Sequence, residues 1–394
     1  KVAVDLLEQL FDLPPHDYTD SNIDTIDFCN VSYNFFFENF MLKNLPCIVR
    51  NLSCEWECSN TWIKDSQIDF DYILNKYGDI EAPVADCDNI NFNAHCKCNM
   101  KVSEYISYLK NEEKDKTLYL KDWHLRRERP KDKFYQVPLI FGSDWLNEYA
   151  EDTQEDDFMF VYIGPSKSTP FHADVYSSYS WSVNIFGRKK WILLPPNEEE
   201  KLRDSLGNLP LLFDPEQYQN IKYFEVIQER GDAIFVPSGW HHQVTNLLDT
   251  ISINHNFING CNIEFVWNSL QKNLQCVEKE IQQFKDSPEF QQQCQLILKS
   301  VFGMDLNDFL HFITHISQKR LNQLNSGYKL GYSNYYLGIK HIMFDLNILL
   351  KIMKLVLDHP LFINKSIAPQ EIDIIANIKD VINGIRINDV NKCN

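Results

Sequence analysis

The rhythm of hydrophobic and polar positions changes three times along this chain. In the first hundred or so residues helical and extended patterns alternate. "VSYNFFFENFMLKN" repeats apolar residues every three to four positions, and "LPCIVRNL" reads as a short buried strand around Pro46. "FDYILNKYGD" and "KVSEYISYLKN" are further helices, the first closed by Gly78. From Thr117 to about Phe257 the text turns to short runs rich in β-branched and aromatic residues, cut by Gly or Pro: "TLYLKDW", "DFMFVYIGP", "TPFHADV", "SYSWSVNIF", "KKWILLPP", "KYFEVIQ", "DAIFVPSG" and "DTISINHNFI". Runs of this length and spacing predict a double-sheet jelly roll or cupin-like barrel. After Asn262 the period returns to that of helices, in "IEFVWNSLQKNLQCVEKEIQQF", "FQQQCQLILKSVF", "LNDFLHFITHISQKRL" and "IKHIMFDLNILLKIMKLVL". No internal repeat at a fixed period stands out. The expected fold class is α+β: a mixed flanking region over 1–113, a β-barrel over 114–262, and a helical region over 263–394.

Between these elements, "RRERPKDK" (Arg126 to Lys133) and "EDTQEDD" (Glu151 to Asp157) read as solvated loops. The 394 residues can bury a large core. No apolar run reaches the roughly 18 residues that a membrane helix needs, so no membrane partner is expected. The opening "KVAVDLLEQLFDLPPHDYTD" carries acids early and lacks the order of a signal peptide. The formal charge of −17 argues against a nucleic-acid partner and favours a basic protein or peptide. Eleven cysteines, an odd number spread thinly as in Cys29, Cys47, Cys261, Cys276 and Cys294, suit reduced thiols. A cytoplasmic location is expected, with the nucleus as the other reducing compartment.

The chemistry gathers in the barrel. In a regular strand residues i and i+2 face the same way, so His172 and Asp174 would aim an imidazole and a carboxylate at one point inside a barrel. Downstream, "GDAIFVPSGWHHQVTNL" brings His241 and His242 into a later strand. One of them would complete two histidines and a carboxylate, the facial triad of non-haem Fe(II) oxygenases. Adjacent residues of a regular strand face opposite ways, and alternation alone does not choose between the two. Other clusters are weaker. "CDNINFNAHCKC" (Cys87 to Cys98) fits no familiar zinc spacing and reads as unligated thiols in a loop, as do Cys54 and Cys58. His311 and His315 lie one helical turn apart in "HFITH", which lacks the glutamate of the metalloprotease motif.

His172-x-Asp174, Lys189 in "GRKKW" and "VPSGWHHQV" together resemble the Jumonji-C (JmjC) family of Fe(II)- and 2-oxoglutarate-dependent oxygenases, over roughly Leu45 to Gly260. The resemblance implies a double-stranded β-helix. It implies Fe(II) on His172, Asp174 and His242, the last chosen because family members often place the distal ligand five residues after the proline of the turn, here Pro237. It implies 2-oxoglutarate as cosubstrate, with its distal carboxylate on Lys189 and on the hydroxyls of Tyr119 and Thr169, and with Asn254 and Asn256 close by. Where relatives often carry Asn on the strand after the His-x-Asp, this chain has Ser182 and Asn184, which leaves the contacts to the keto-acid end open. O2 would be consumed, ascorbate would serve as a reductant, and succinate and CO2 would leave. Tyr176, Tyr179, Trp181, Trp191 and Trp240 would shield the site, with plain core packing the stronger expectation for Trp181 and Trp191. The nearest branch of the family implies hydroxylation of a lysine in the eukaryotic peptide-release factor. An N-methyl-lysine demethylase and an inactive cupin-like scaffold are the competing expectations, and the intact triad with Lys189 speaks against the scaffold.

Overall fold

The computed structural model describes residues 3–91, 94–111, 114–167, 169–326, 335–363 and 369–392. The alternating runs pair into two sheets. Their strands are β1 (Asp24–Asp27), β2 (Cys47–Arg50), β3 (Glu81–Asn91), β4 (Ala94–Lys101), β5 (Leu118–Trp123), β6 (Met159–Gly164), β7 (Tyr179–Phe186), β8 (Lys189–Leu194), β9 (Phe224–Gln228), β10 (Ala233–Val236), β11 (His241–Asn246) and β12 (Thr250–Phe257). The larger sheet runs β1-β2-β10-β7-β12-β6-β5-β3-β4 and the smaller β9-β8-β11. Within them only β1 and β2 pair in parallel. This is the expected jelly-roll architecture in an α+β protein.

Strand alternation decides what lies between the sheets. From β8, Trp191 and Leu193 point inward to meet Ile48, Ile234, Val236, Trp240 and Val244, while Ile192 and Leu194 point outward under Leu202, Phe213 and Phe171. The chain passes from β7 in the large sheet to β8 in the small one through Gly187, at φ +84°. A Cβ there would stand 2.2 Å from the Asp249 carbonyl oxygen, so only glycine allows the crossing.

The main helices are α1 (Phe70–Tyr77), α2 (Val102–Lys110), α3 (Trp145–Thr153), α4 (Ile263–Glu280), α5 (Phe290–Phe302), α6 (Leu306–Ser326), α7 (Ile339–Leu357) and α8 (Pro369–Lys392). Gly78 caps α1 as its sequence predicts. A fully buried ion cluster fastens the late helices to α3. Arg320 of α6 makes two hydrogen bonds to Glu148 of α3, at 2.9 and 3.0 Å, and one to Asp345 of α7 at 2.6 Å.

Three local expectations change. Cys87–Asn91 and Ala94–Cys98 belong to the paired strands β3 and β4 and not to a loop, residues 92 and 93 lying outside the described residues, because cross-strand pairing overrides a weak strand propensity. Arg126 and Arg127 belong to a short helical turn, Leu125–Glu128, and the acidic Glu151–Asp157 stretch starts on the last turn of α3. The third change, at "TPFHADV", shapes the site itself.

Candidate metal and cosubstrate site

"TPFHADV" is not a regular strand. Its residues follow β11, but against the two steps from Val244 to His242 they spend three, from Thr169 to His172. Pro170 has no N–H to offer in between. The Thr169 N–H donates to the Val244 carbonyl at 2.7 Å, and the Thr169 hydroxyl takes the Val244 N–H at 3.2 Å in place of a backbone carbonyl. A single antiparallel bridge then joins His172 to His242. The segment is thus a bulged fourth strand of the small sheet, and a bulge re-aims a side chain. The pairing ends at His172, and Asp174 lies two residues beyond it at the head of a short 3-10 turn, so their convergence holds without a regular strand under both.

His172, Asp174 and His242 each offer one ligand atom, all within 4.8 Å of one another. The two imidazoles lie 4.5 Å apart between ring centroids. Each ring is fixed by the same device. Nδ1 of His172 stands 2.8 Å from the Pro170 carbonyl and Nδ1 of His242 stands 3.0 Å from the Trp240 carbonyl. A carbonyl only accepts, so both Nδ1 atoms carry a hydrogen and Nε2 is left as the ligand atom of each ring. The Ser180 hydroxyl donates to Asp174 Oδ2 at 2.6 Å and steadies the carboxylate. Protein crowded around His172, with the His242 ring beside it, pushes its pKa down to about 4 even though the residue keeps solvent-accessible surface. An imidazole pair beside a carboxylate is a donor set that fits a divalent first-row metal. His241 turns away: its Nδ1 lies 3.7 Å from Glu199 and its ring packs on Phe171.

These three residues line a cavity of about 90 Å³ together with Tyr119, Thr169, Lys189, Asn254 and Asn256, so every sequence-predicted site residue reaches one place. Lys189 is 2 % exposed and donates to the Ser252 hydroxyl at 2.8 Å. No carboxylate accompanies it among the described residues, and burial pushes its pKa down to about 7. An unpaired buried ammonium is costly, and a small acid entering this cavity would relieve it. Lys189 is therefore not a surface lysine. The Tyr119 hydroxyl accepts from Asn246 Nδ2 at 3.2 Å, which leaves its own hydrogen to be donated. The Thr169 hydroxyl instead gives its hydrogen to the Val244 carbonyl at 3.2 Å, so its work in this structure is to hold the bulged segment.

Of the two residues left open at the keto-acid end, Ser182 lines the cavity and donates to Asn254 Oδ1 at 2.7 Å. Asn184 is spent on the Gly187 turn. Trp181 and Trp191 border the cavity and are also core. The Trp181 ring stacks on His255 at 4.0 Å, and Trp191 Nε1 donates to Gln228. Tyr179 and Trp240 are buried and bonded to the Met41 and Asn44 carbonyls. His315 pairs with Asp152, and among the described residues no metal-competent group other than His172, Asp174 and His242 occurs.

Two supporting residues escaped the sequence reading, Ser180 and Ser252. A signal for them exists. Ser180-x-Ser182-x-Asn184 and Ser252-x-Asn254-x-Asn256 put a polar residue at every second position of otherwise apolar strands, and in the register these pair as Ser180 with Asn256, Ser182 with Asn254, and Asn184 with Ser252.

Comparison with known proteins agrees with this geometry. Residues 33–262 match the family model of the cupin-like domain. The chain is 41 % identical over 380 residues to the mouse 2-oxoglutarate and iron-dependent oxygenase JMJD4, covering 89 % of each chain. It is 40 % identical over 388 residues to the zebrafish protein of the same name, covering 90 % of this chain and 92 % of the relative. The Arabidopsis arginine-specific demethylase JMJ20 is 36 % identical over 332 residues, covering 77 % of this chain and 72 % of the relative. Fold and site thus define a cupin-like, JmjC-type oxygenase. The chain belongs to the family of 2-oxoglutarate- and iron-dependent oxygenases, whose chemistry uses Fe(II), 2-oxoglutarate and O2. No helix among the described residues is long and apolar enough to cross a membrane.

Proposed function

We propose that His172, Asp174 and His242 hold the iron and that Lys189 and Tyr119 receive the distal carboxylate of 2-oxoglutarate. Asn254 and Asn256 then flank the cosubstrate, and the reaction is hydroxylation of a lysine carbon in the eukaryotic peptide-release factor. One observation carries the reading: a buried lysine with no carboxylate beside it among the described residues shares a cavity of about 90 Å³ with three metal-competent side chains. The bound iron, with 2-oxoglutarate and O2, supplies the oxidising power that turns a C–H into a C–OH while succinate and CO2 leave. The residues of the chain do the positioning. The carbonyls of Pro170 and Trp240 fix the histidine tautomers, and Ser180 restrains Asp174. Ser252 keeps Lys189 aimed into the cavity. The volume is far below the 300–1,000 Å³ or so of sites that enclose drug-sized ligands, so a protein substrate presents one side chain at the mouth. The charge of −17 favours a lysine-bearing approach.

A second reading, oxidation of an N-methyl group on arginine or lysine, is favoured by the likeness to the Arabidopsis arginine-specific demethylase. One experiment separates them. Full-length protein is incubated with Fe(II), ascorbate, 2-oxoglutarate and the release factor, with His172→Ala as control, and the factor is examined by mass spectrometry. Gain of one oxygen atom on one lysine supports hydroxylation. Formaldehyde released from methylated peptides with no such gain supports demethylation instead.

A further inference from the structure

The segment after Asp174 is strained. Tyr176 has φ +58° and ψ +10°, and Ser177 follows at φ +56°. Two successive left-handed residues that are not glycine persist only where their surroundings impose them. The reversal they make brings the chain back into β7, so that Ser180 reaches the Asp174 carboxylate. Part of what imposes it is near the barrel. The Ser177 carbonyl accepts from the Ser238 hydroxyl at 2.5 Å, and the Ser178 hydroxyl accepts from Asn256 at 3.1 Å.

The rest comes from the helical region. The Tyr176 ring sits between Phe158, at the entry to β6, and Phe302, the last residue of α5, with both ring centroids 5.6 Å away. Gly303, the cap of α5 at φ +97°, lies against the same ring. A Cβ on it would come within 2.8 Å of the Tyr176 hydroxyl oxygen.

We infer that Tyr176 is a positioning residue through which the end of α5 sets the Asp174 carboxylate for metal binding. The late helices are then part of the metal site's support. The inference rests on Asp174 being a metal ligand. Phe302 packs on Tyr176 and stands outside the cavity lining, so its influence on metal should pass through Tyr176 alone.

The test measures Mn(II) affinity of the full-length protein by electron paramagnetic resonance, without turnover, beside thermal unfolding of the metal-free protein. Tyr176→Ala is expected to raise the Mn(II) Kd about tenfold, Phe302→Ala severalfold, and the double variant no more than Tyr176→Ala alone, since residues acting in series do not add. Tyr176→Phe, which keeps the ring between Phe158 and Phe302, should stay within about twofold of the unaltered chain. If Phe302→Ala fails to fold, Phe302→Leu takes its place. A purely structural role would lower the unfolding temperature of Tyr176→Ala and leave its Kd unchanged, which overturns the inference, as would additive effects in the double variant. Asp174→Ala separates the two levels. If it leaves Mn(II) binding intact, the ligand assignment itself fails; if it abolishes binding while Tyr176→Ala binds normally, only the inference does.

Discussion

His172 and His242 face each other across one antiparallel bridge, the N–H of each donating to the carbonyl of the other, at 3.0 and 2.7 Å. The backbone pair that sets the two imidazoles side by side is independent of any metal. Replacing His242 with Ala should abolish iron-dependent succinate formation, whereas His241→Ala, on the opposite face of the same strand, should retain most of it. Comparable losses in both variants would overturn the choice of His242.

Thr169 holds the bulged segment by standing in for a backbone carbonyl. Thr169→Val removes that acceptor and leaves the Val244 N–H unpaired, at a cost of about 1–3 kcal/mol. Thermal unfolding should show the loss, and metal affinity should fall with it because His172 is three residues away. An unchanged melting temperature would show that the hydroxyl is dispensable.

Lys189 carries a pH dependence whose sign follows from its burial. Its pKa falls from the ordinary 10.5 to about 7 in the protein without cosubstrate. Between about pH 7 and pH 10.5 the unfolded chain therefore binds more protons than the folded one, so stability should rise with pH across that window, the penalty being fully present below it. A carboxylate on Lys189 reverses the shift, so 2-oxoglutarate binding at pH 8 should take up protons. Calorimetry in buffers of different ionisation enthalpy measures that uptake, and a value of zero would contradict the pairing.

Lys189→Met tests the same residue without pH. It should raise the Kd for 2-oxoglutarate by about two orders of magnitude. It should also stabilise the cosubstrate-free protein by roughly 1–4 kcal/mol, the range seen when buried ionic groups are exchanged for apolar ones. Loss of both stability and binding would mean that Lys189 is structural.

Arg320 links α6, α3 and α7 with no exposure of any partner. Arg320→Met removes the cation that Glu148 and Asp345 share, leaves Glu148 only the longer Lys319 contact at 3.4 Å, and should cost about 3–5 kcal/mol. Chemical denaturation of the full chain reads this directly, and a loss below 1 kcal/mol would show that the cluster relaxes or admits water.

Much of this protein is written locally. Strand rhythm, helix rhythm and the caps depend on neighbours a few residues apart, which is why β5 to β12 and α4 to α7 are legible in the chain. The strands β3 and β4 were not, because they owe their form to pairing with each other, and β3 with β5 at Val84–Asp86, and not to their own Asn- and Asp-rich text. The site divides the same way. His172, Asp174, Lys189 and the paired histidines announce themselves by type and order, and the resemblance to a known family picked His242. Ser180 and Ser252 were hidden in ordinary strand polarity.

The sequence by itself determined which residue types are available and on which elements: a barrel of alternating strands, a histidine–aspartate pair, a later histidine pair and one lysine at a strand start. Only the tertiary structure decided that His172 follows a bulge with Asp174 just beyond it, that His241 is turned outward, that Lys189 is buried on Ser252 with no carboxylate beside it among the described residues, and that the end of α5 presses on Tyr176. Local patterns reflect the periodicity of the backbone, which a few consecutive residues already contain. Convergence between distant segments depends on strand order, on register and on which backbone groups lack partners, and those are settled only when the sheets close.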